Sequence, residues 1–148
     1  MVQQAPAVAA GEQVVDIMIS LTRLSNAHRT IIAGNDSVKL YVSLKRRGFI
    51  RVATPATCNI PRKQHSVGLV AGPDSPTTIE ATLTQISPFL GASAAVAILI
   101  DSSESGLGLK IRTKLAQMGF QIEAGVRCQQ GLVLSAYRQG LVQMERAA

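Results

Sequence analysis

Three neighbouring residues, Gly34, Asn35 and Asp36, form a candidate ligand-binding loop. They follow the short apolar run from Thr30 to Ala33 and precede an amphipathic segment, so they lie where a strand turns into a helix. Open α/β sheets bind ligands at this place, outside the carboxyl ends of their strands. Ordinary capping accounts for the same residue types, since glycine suits a turn and Asn or Asp caps a helix. Asp36 would repel a phosphate there, despite the N–H groups of the helix.

Other candidate sites have simpler structural explanations. Gly106 and Gly108 begin a predicted helix and imitate a glycine fingerprint, but a flexible connection has the same composition. Residues 71–76 (AGPDSP) follow an apolar strand, and a proline-rich turn with an N-cap accounts for each of them. His65 could act as a base, yet no nucleophile or orienting acid stands at a recognisable spacing from it. The sequence therefore identifies no catalytic residue.

The two cysteines, Cys58 and Cys128, match neither a metal-binding pair nor a disulfide framework. Free cysteines are more often small core residues than nucleophiles. The chain has only 2 His and 2 Cys, and they are scattered. Ligands for a zinc site are therefore lacking, and no metal is predicted.

The stretch between Asp36 and Asp74 contains no acidic residue and is rich in cations. Its cations outnumber the net charge of +6 that the whole chain carries. Such a block can be the electrostatic footprint of a nucleic acid or another polyanion, and it can equally be a solvated face. The predicted anion-binding residues are Lys45, Arg46, Arg47, Arg51, Arg62 and Lys63.

The length of 148 residues fits one domain, and the 47% share of apolar residues is ample for a core. Aromatic residues make up only 3%, so the core must be aliphatic and platforms for stacking bases are lacking. No apolar run approaches the roughly 20 residues that span a bilayer, and the N-terminus has no long hydrophobic stretch. These features predict a cytoplasmic protein without a membrane partner. The predicted organisation is a disordered tail over 1–11, a domain over 12–140 and a tail over 141–148.

Hydrophobic periodicity predicts strands that alternate with helices. The predicted helices cover about 12–24, 37–47, 76–90 and 105–118, and the predicted strands cover about 30–33, 49–53, 66–71, 94–100, 120–127 and 132–137. Alternation of this kind gives right-handed crossovers onto a largely parallel sheet covered on both faces. The last two strands follow each other across a short turn, which indicates an antiparallel hairpin. The expected fold is a three-layer, Rossmann-like α/β domain with a mixed, mostly parallel, six-stranded sheet.

From Thr77 to Arg138 the sequence resembles the second half of a class I S-adenosylmethionine-dependent methyltransferase. The resemblance is carried by PFLGAS at a helix end, the strand AVAILID, the helix end KLAQMGF, and the hairpin QIEAGV and GLVLSAYR. The segment RTIIAGND is similar in outline to the family's first strand and cofactor loop. The resemblance implies that S-adenosylmethionine would bind at the loop formed by Gly34, Asn35 and Asp36.

The chain departs from that family's pattern at three places. Its loop keeps only Gly34, whereas the family's loop is rich in glycine so that the backbone can approach the cofactor. Residues 52–55 (VATP) offer no acid for the ribose hydroxyls. About a dozen residues separate the second strand from the third, too few for a helix, strand and helix along the adenine. These departures predict that no cofactor binds, with S-adenosylmethionine as the alternative.

Three functions follow from this comparison. The leading hypothesis is a catalytically silent methyltransferase-like domain, a binding or regulatory module with an anionic or protein partner. The alternative is an active methyltransferase with an atypical cofactor loop. The third is a subunit of a hetero-oligomer whose partner supplies the missing wall of the pocket, and the sequence leaves homo- and hetero-oligomers equally open.

Overall fold

The computed structural model describes residues 4–56, 62–72, 76–100 and 107–138. Its helices are α1 (Gln4–Thr22), α2 (Ser37–Arg46), α3 (Pro76–Ile86) and α4 (Leu107–Gln117). Its strands are β1 (Thr30–Ala33), β2 (Val52–Ala53), β3 (His65–Val70), β4 (Leu90–Ile100), β5 (Phe120–Cys128) and β6 (Gly131–Arg138), and a 3-10 turn over Ser87–Phe89 leads into β4.

The six strands form one sheet in the order β2-β1-β3-β4-β6-β5. The strands β2, β1, β3 and β4 are parallel, and β6 is antiparallel to both of its neighbours, β4 and β5. This arrangement confirms the predicted Rossmann-like fold, with a mostly parallel sheet that ends in an antiparallel hairpin.

Helices bury both faces of the sheet because successive strand residues point to opposite sides. On one face, α3 and α4 bury an aliphatic cluster that includes Leu83, Ile86, Ile98, Ile111 and Leu115. On the other face, α1 and α2 bury a second cluster that includes Met18, Ile32, Leu44, Leu69 and Leu99. The parallel sheet has two edges, the carboxyl edge where β1, β3 and β4 end and the amino edge where they begin.

Several element boundaries differ from those predicted. The first helix begins at Gln4 rather than near position 12, within the stretch assigned to a disordered tail. The sequence there is rich in alanine, the best helix former. The strand β2 is shorter than predicted because Phe49 takes part in capping the C-terminal end of α2. The N–H of Phe49 donates to the carbonyl of Leu44 (3.1 Å) across Gly48, whose φ is +93°.

The strand β4 begins at Leu90, so the first two residues of PFLGAS lie in the 3-10 turn and the other four begin a strand rather than end a helix. Gly91, the glycine of PFLGAS, lies within β4. A Cβ at this position would lie 3.2 Å from the carbonyl oxygen of Lys63, so the glycine permits a close approach of two backbones. The helix itself ends earlier, at Ile86.

His65 makes the stability of the fold sensitive to acid. It is buried at the start of β3, and its Nδ1–H donates to the carbonyl of Phe89 (3.2 Å). Burial lowers the pKa of His65 below its ordinary 6.5, the hydrogen bond to Phe89 raises it in part, and the charge of Arg29 lowers it further. Because the folded state favours the neutral ring, this contribution to stability is present above pH 6.5 and is lost as the pH falls through the lowered pKa.

We therefore expect the urea midpoint of the wild type to decrease when the pH is lowered from about 7 to about 5, and to decrease less in a His65→Gln variant. Urea unfolding at both pH values measures the difference. The matched control is His28→Gln, which replaces the other histidine of the chain. An equal pH dependence in wild type and His65→Gln would contradict the assignment.

Candidate functional site

An open cavity of about 510 Å³ lies at the carboxyl edge of the sheet, between α1 and α2. Ala71, directly after β3, and Leu99, near the end of β4, line it from the sheet. Asp36 lines it from the loop after β1, and Gln130 lines it from the turn between β5 and β6. The cavity thus joins the ends of several strands, which is where open α/β sheets hold ligands.

The loops that follow β1 and β3 are in direct backbone contact. The N–H of Asp36 donates to the carbonyl of Ala71 (3.1 Å), and Gly34 has a φ of +104°. A Cβ on Gly34 would overlap the Ala71 carbonyl oxygen, and a Cβ on Gly72, whose φ is +138°, would lie 2.8 Å from the amide nitrogen of Asn35. Both glycines are therefore required by the close approach of the two loops.

The predicted cofactor residues differ in their surroundings. Asn35 is exposed, whereas Gly34 and Asp36 are half-buried and Asp36 lines the cavity. Asp36 stands at the N-cap position of α2, yet its side chain makes no capping hydrogen bond, and its φ and ψ (−97° and 20°) differ from the extended conformation typical of a cap. Capping therefore does not explain Asp36.

A network of charged groups joins the two helices that wall the cavity. The carboxylate of Glu12 on α1 accepts hydrogen bonds from the Ser43 hydroxyl (2.9 Å) and from an Nη2–H of Arg47 (2.5 Å). The other end of the guanidinium lies 3.1 Å from a carboxylate oxygen of Asp16. Arg47, one of the predicted anion-binding residues, is half-buried and paired with two carboxylates of α1.

The other predicted anion-binding residues separate into distinct places. Lys45 donates to the carbonyl of Ile50 (3.1 Å) and lies 5.3 Å from the centre of the Tyr41 ring. Arg46 lines the carboxyl-edge cavity. Arg51, Arg62 and Lys63 are exposed near the starts of β2 and β3, at the amino edge. The structure does not bring all six together, and anion binding by this set stays a prediction.

The remaining candidates lie elsewhere or outside the described residues. His65 is at the amino edge, away from the cavity, and Cys128 is a half-buried free thiol that packs against the core cluster under α1. Cys58, residues 73–75 and Gly106 lie outside the described residues. Within the described ranges, no group of three or more His, Cys, Asp or Glu side chains could hold a metal ion. None of the helices described is long and apolar enough to cross a membrane.

The wall that the family places along the adenine is not formed by the described part of the β2 to β3 connection. Residues 54–56 and 62–64 form neither helix nor strand there. β2 is consequently an edge strand, paired to β1 alone among the described strands.

Sequence comparison finds no matching family model and no matching curated protein. Solved structures do match. The 1,6-didemethyltoxoflavin-N1-methyltransferase of Burkholderia thailandensis, solved with 1,6-didemethyltoxoflavin and S-adenosylhomocysteine, is 14% identical with a TM-score of 0.60 over 88% of this chain and 79% of its own. The precorrin-6y C5,15-methyltransferase of Geobacter metallireducens is 13% identical with a TM-score of 0.60, covering 86% and 88% of the two chains. The ribosomal protein L11 methylase of Lactobacillus delbrueckii subsp. bulgaricus is 15% identical with a TM-score of 0.58, covering 86% and 78%.

These similarities show that the chain has the class I methyltransferase-like fold, as its sequence predicts. They contradict the prediction that no cofactor binds. The neighbours are methyltransferases, and one of them holds S-adenosylhomocysteine, which points to S-adenosylmethionine rather than to no cofactor. The prediction rested on the loss of individual motif residues, whereas the fold shared with these methyltransferases is retained.

Proposed function

We propose that this chain binds S-adenosylmethionine at the carboxyl edge of its sheet and acts as a methyltransferase. The observation that carries the proposal is the position of the cavity of about 510 Å³, which meets the loop after β1 and the ends of β3 and β4. Its volume lies within the roughly 300 to 1,000 Å³ of small-molecule sites. Its place is the one at which α/β sheets bind ligands.

The cavity offers charges of both signs, which suits the zwitterionic amino-acid end of the cofactor. Asp36 supplies a carboxylate for the ammonium group, and Lys39 and Arg46 supply cations for the carboxylate group. Glu12 also lines the cavity, but Arg47 and Ser43 already occupy one of its oxygens. When bound, the cofactor supplies an electrophilic methyl group, and the residues of this chain would hold and orient it.

A domain that binds the cofactor without transferring the methyl group is the second candidate. It is favoured by the described lining of the cavity, which includes no His, Cys or Tyr to take a proton from an acceptor. Methyl-tritiated S-adenosylmethionine, incubated with the protein and a panel of phenols, amines and carboxylic acids, separates the two candidates. Labelling of an acceptor supports the enzyme, and binding without labelling supports the silent domain.

Replacement of Asp36 by asparagine tests the assignment of the site. A hydrogen bond to a charged group contributes about 1.5 to 3 kcal/mol, so we expect Asp36→Asn to weaken binding of S-adenosylhomocysteine by about 10- to 100-fold. Isothermal titration calorimetry gives the dissociation constants. Because Asp36 makes no capping hydrogen bond to α2, the fold should tolerate the change.

The matched control is Glu80→Gln on α3, which removes one negative charge on the opposite face of the sheet and should leave the affinity unchanged. An equal loss of affinity in both variants would show a general effect of charge rather than a contact at Asp36. No binding by the wild type at millimolar ligand would refute the proposed function.

A further inference from the structure

We propose that the amino edge of the sheet, opposite the cavity, binds the phosphate backbone of double-stranded nucleic acid. The residues that form this surface, here called the amino-edge band, are Arg29, Arg51, Arg62, Lys63 and Arg138. Three of them belong to the basic stretch of the sequence, whereas Arg29 and Arg138 are brought there by the fold. The inference is independent of the proposed cofactor site.

Backbone hydrogen bonds fix the band at the starts of the strands. The carbonyl of Arg51 accepts from the N–H of Thr30 (2.8 Å), and the carbonyl of Arg29 accepts from the N–H of Ser66 (2.9 Å). Arg51, just before β2, and Arg29, just before β1, are thereby adjacent, and Arg29 lies beside the start of β3. Arg29, Arg51, Arg62 and Lys63 are all exposed.

Arg138 ends β6, whose antiparallel course returns it to the same edge. Its guanidinium donates to the carbonyls of Leu90 (3.1 Å) and Gly91 (3.3 Å) and to the Ser87 hydroxyl (3.1 Å), and it lies 4.6 Å from the centre of the Phe120 ring. A guanidinium has five N–H donors, so these contacts orient the group and leave donors for an anion.

A cavity of about 330 Å³ lies between Arg138 and Lys63. The described residues that line it include two cations and no carboxylate. Lys63 is held there because its own N–H donates to the carbonyl of Pro88 (3.0 Å). Two converging cations without a counter-charge suit a phosphate group, which Arg and Lys both bind.

No described carboxylate is paired with a cation of the band. Glu12 and Asp16 pair with Arg47, Asp36 lies at the carboxyl edge, and Glu80 lies on α3. Glu123 lines a cavity with His28 and Ser66 near the band, where it lies 3.6 Å from Arg23. The stretch from position 37 to position 73, which supplies three of the cations, has no acidic residue. The band therefore keeps a net positive charge, which attracts polyanions.

The dimensions and the aromatic residues favour a duplex over a single strand. The band crosses five adjacent strands, which is a width of about 19 Å at roughly 4.8 Å between neighbouring strands. A duplex presents one charge per about 1.7 Å of its axis, so several of its phosphates can face a surface of that width. Proteins that bind single strands stack bases on aromatic rings. Three rings lie near the band: Phe120 packs against Arg138, Phe89 packs edge-to-face against His65 at 6.5 Å, and only Tyr137 lines a cavity beside it.

Salt-dependent binding of a fluorescein-labelled duplex of about two helical turns tests the inference, with fluorescence anisotropy as the readout between about 50 and 200 mM salt. If all five cations contact phosphates, log affinity should fall against log salt with a slope of about −4.5. The triple variant Arg51→Gln/Arg62→Gln/Lys63→Gln should reduce that slope by about 2.7, since each contact contributes about 0.9. Arg138 is left intact because it also holds the carbonyls of β4.

The matched control is Lys110→Gln/Arg112→Gln/Lys114→Gln, which removes the same charge from α4 and should keep the wild-type slope. Parallel titrations with DNA and RNA duplexes identify which backbone is preferred, and a slope reduced only by the band variant supports the inference for either. The inference is overturned if the wild type binds neither duplex at low salt, or if the slope is reduced as much in the control as in the band variant. It is also overturned if a single strand of equal length binds more tightly than the duplexes.

Discussion

Replacing Gly34 with alanine is expected to lower the free energy of unfolding by more than about 3 kcal/mol, a large part of the roughly 5 to 15 kcal/mol typical of a domain. The new Cβ would overlap the carbonyl oxygen of Ala71, and a backbone oxygen cannot rotate away as a side chain can. The φ of +104° adds strain, because residues with a side chain rarely adopt it. Urea unfolding of Gly34→Ala and wild type measures the difference.

Gly48→Ala is the matched control for this change. Gly48 has a φ of +93°, but a Cβ there would have no atom within 4 Å. Gly48→Ala should therefore lower the free energy of unfolding only by the cost of backbone strain, about 1 to 2 kcal/mol. Equal losses in the two variants would mean that strain alone accounts for Gly34 and that the two loops are not in contact.

This result bears on how the cofactor loop is tested. A variant of Gly34 that fails to bind S-adenosylhomocysteine would have lost the fold of the loop, so its failure would not identify a ligand contact. Asp36 is the better probe, since its side chain lines the cavity and does not cap α2. Gly34 and Asp36 therefore have separable roles. Gly34 allows the two loops to approach each other, and Asp36 takes part in the proposed binding.

The order of the elements could be predicted because it depends on local patterns. Ile79, Leu83 and Ile86 recur at helical spacing and are all buried on α3. The apolar run from Val96 to Ile100 is buried on both sides, as expected of a central strand. Each of these patterns lies within one segment of the chain, so it can be recognised without knowing what the segment packs against.

The site could be predicted only in part because its contacts join distant segments. Gly34 and Asp36 were identified from the strand-to-helix turn, but the contact with Ala71 requires the crossover that places β3 beside β1. Arg47 is among the predicted anion-binding residues, whereas Glu12, 35 positions away, pairs with it. Arg138 was not identified, because its only signal is the antiparallel return of β6 to the amino edge.

The second large effect is expected at Met18, where Met18→Ala should lower the free energy of unfolding by about 2 to 5 kcal/mol. Met18 is fully buried on α1, in the same cluster as Ile32, Leu69 and Ala97, so its truncation leaves a cavity under that helix. Gln13→Ala, on the exposed side of α1, is the control and should change stability by less than about 0.5 kcal/mol. Urea unfolding measures both, and equal stability of the two variants would contradict the packing of α1 on the sheet.

Because α1 also walls the carboxyl-edge cavity through Val14 and Val15, the same variant tests the coupling between the helix and the ligand. A ligand that binds only the folded state adds about 2.7 kcal/mol at a concentration of 100 times its dissociation constant. We expect S-adenosylhomocysteine at such a concentration to restore a large part of the stability that Met18→Ala loses, with the dissociation constant measured separately for the variant. If the ligand at that concentration raises the urea midpoint of neither the wild type nor Met18→Ala, it does not bind the folded state in preference to the unfolded chain, and the cavity between α1 and α2 is not its site.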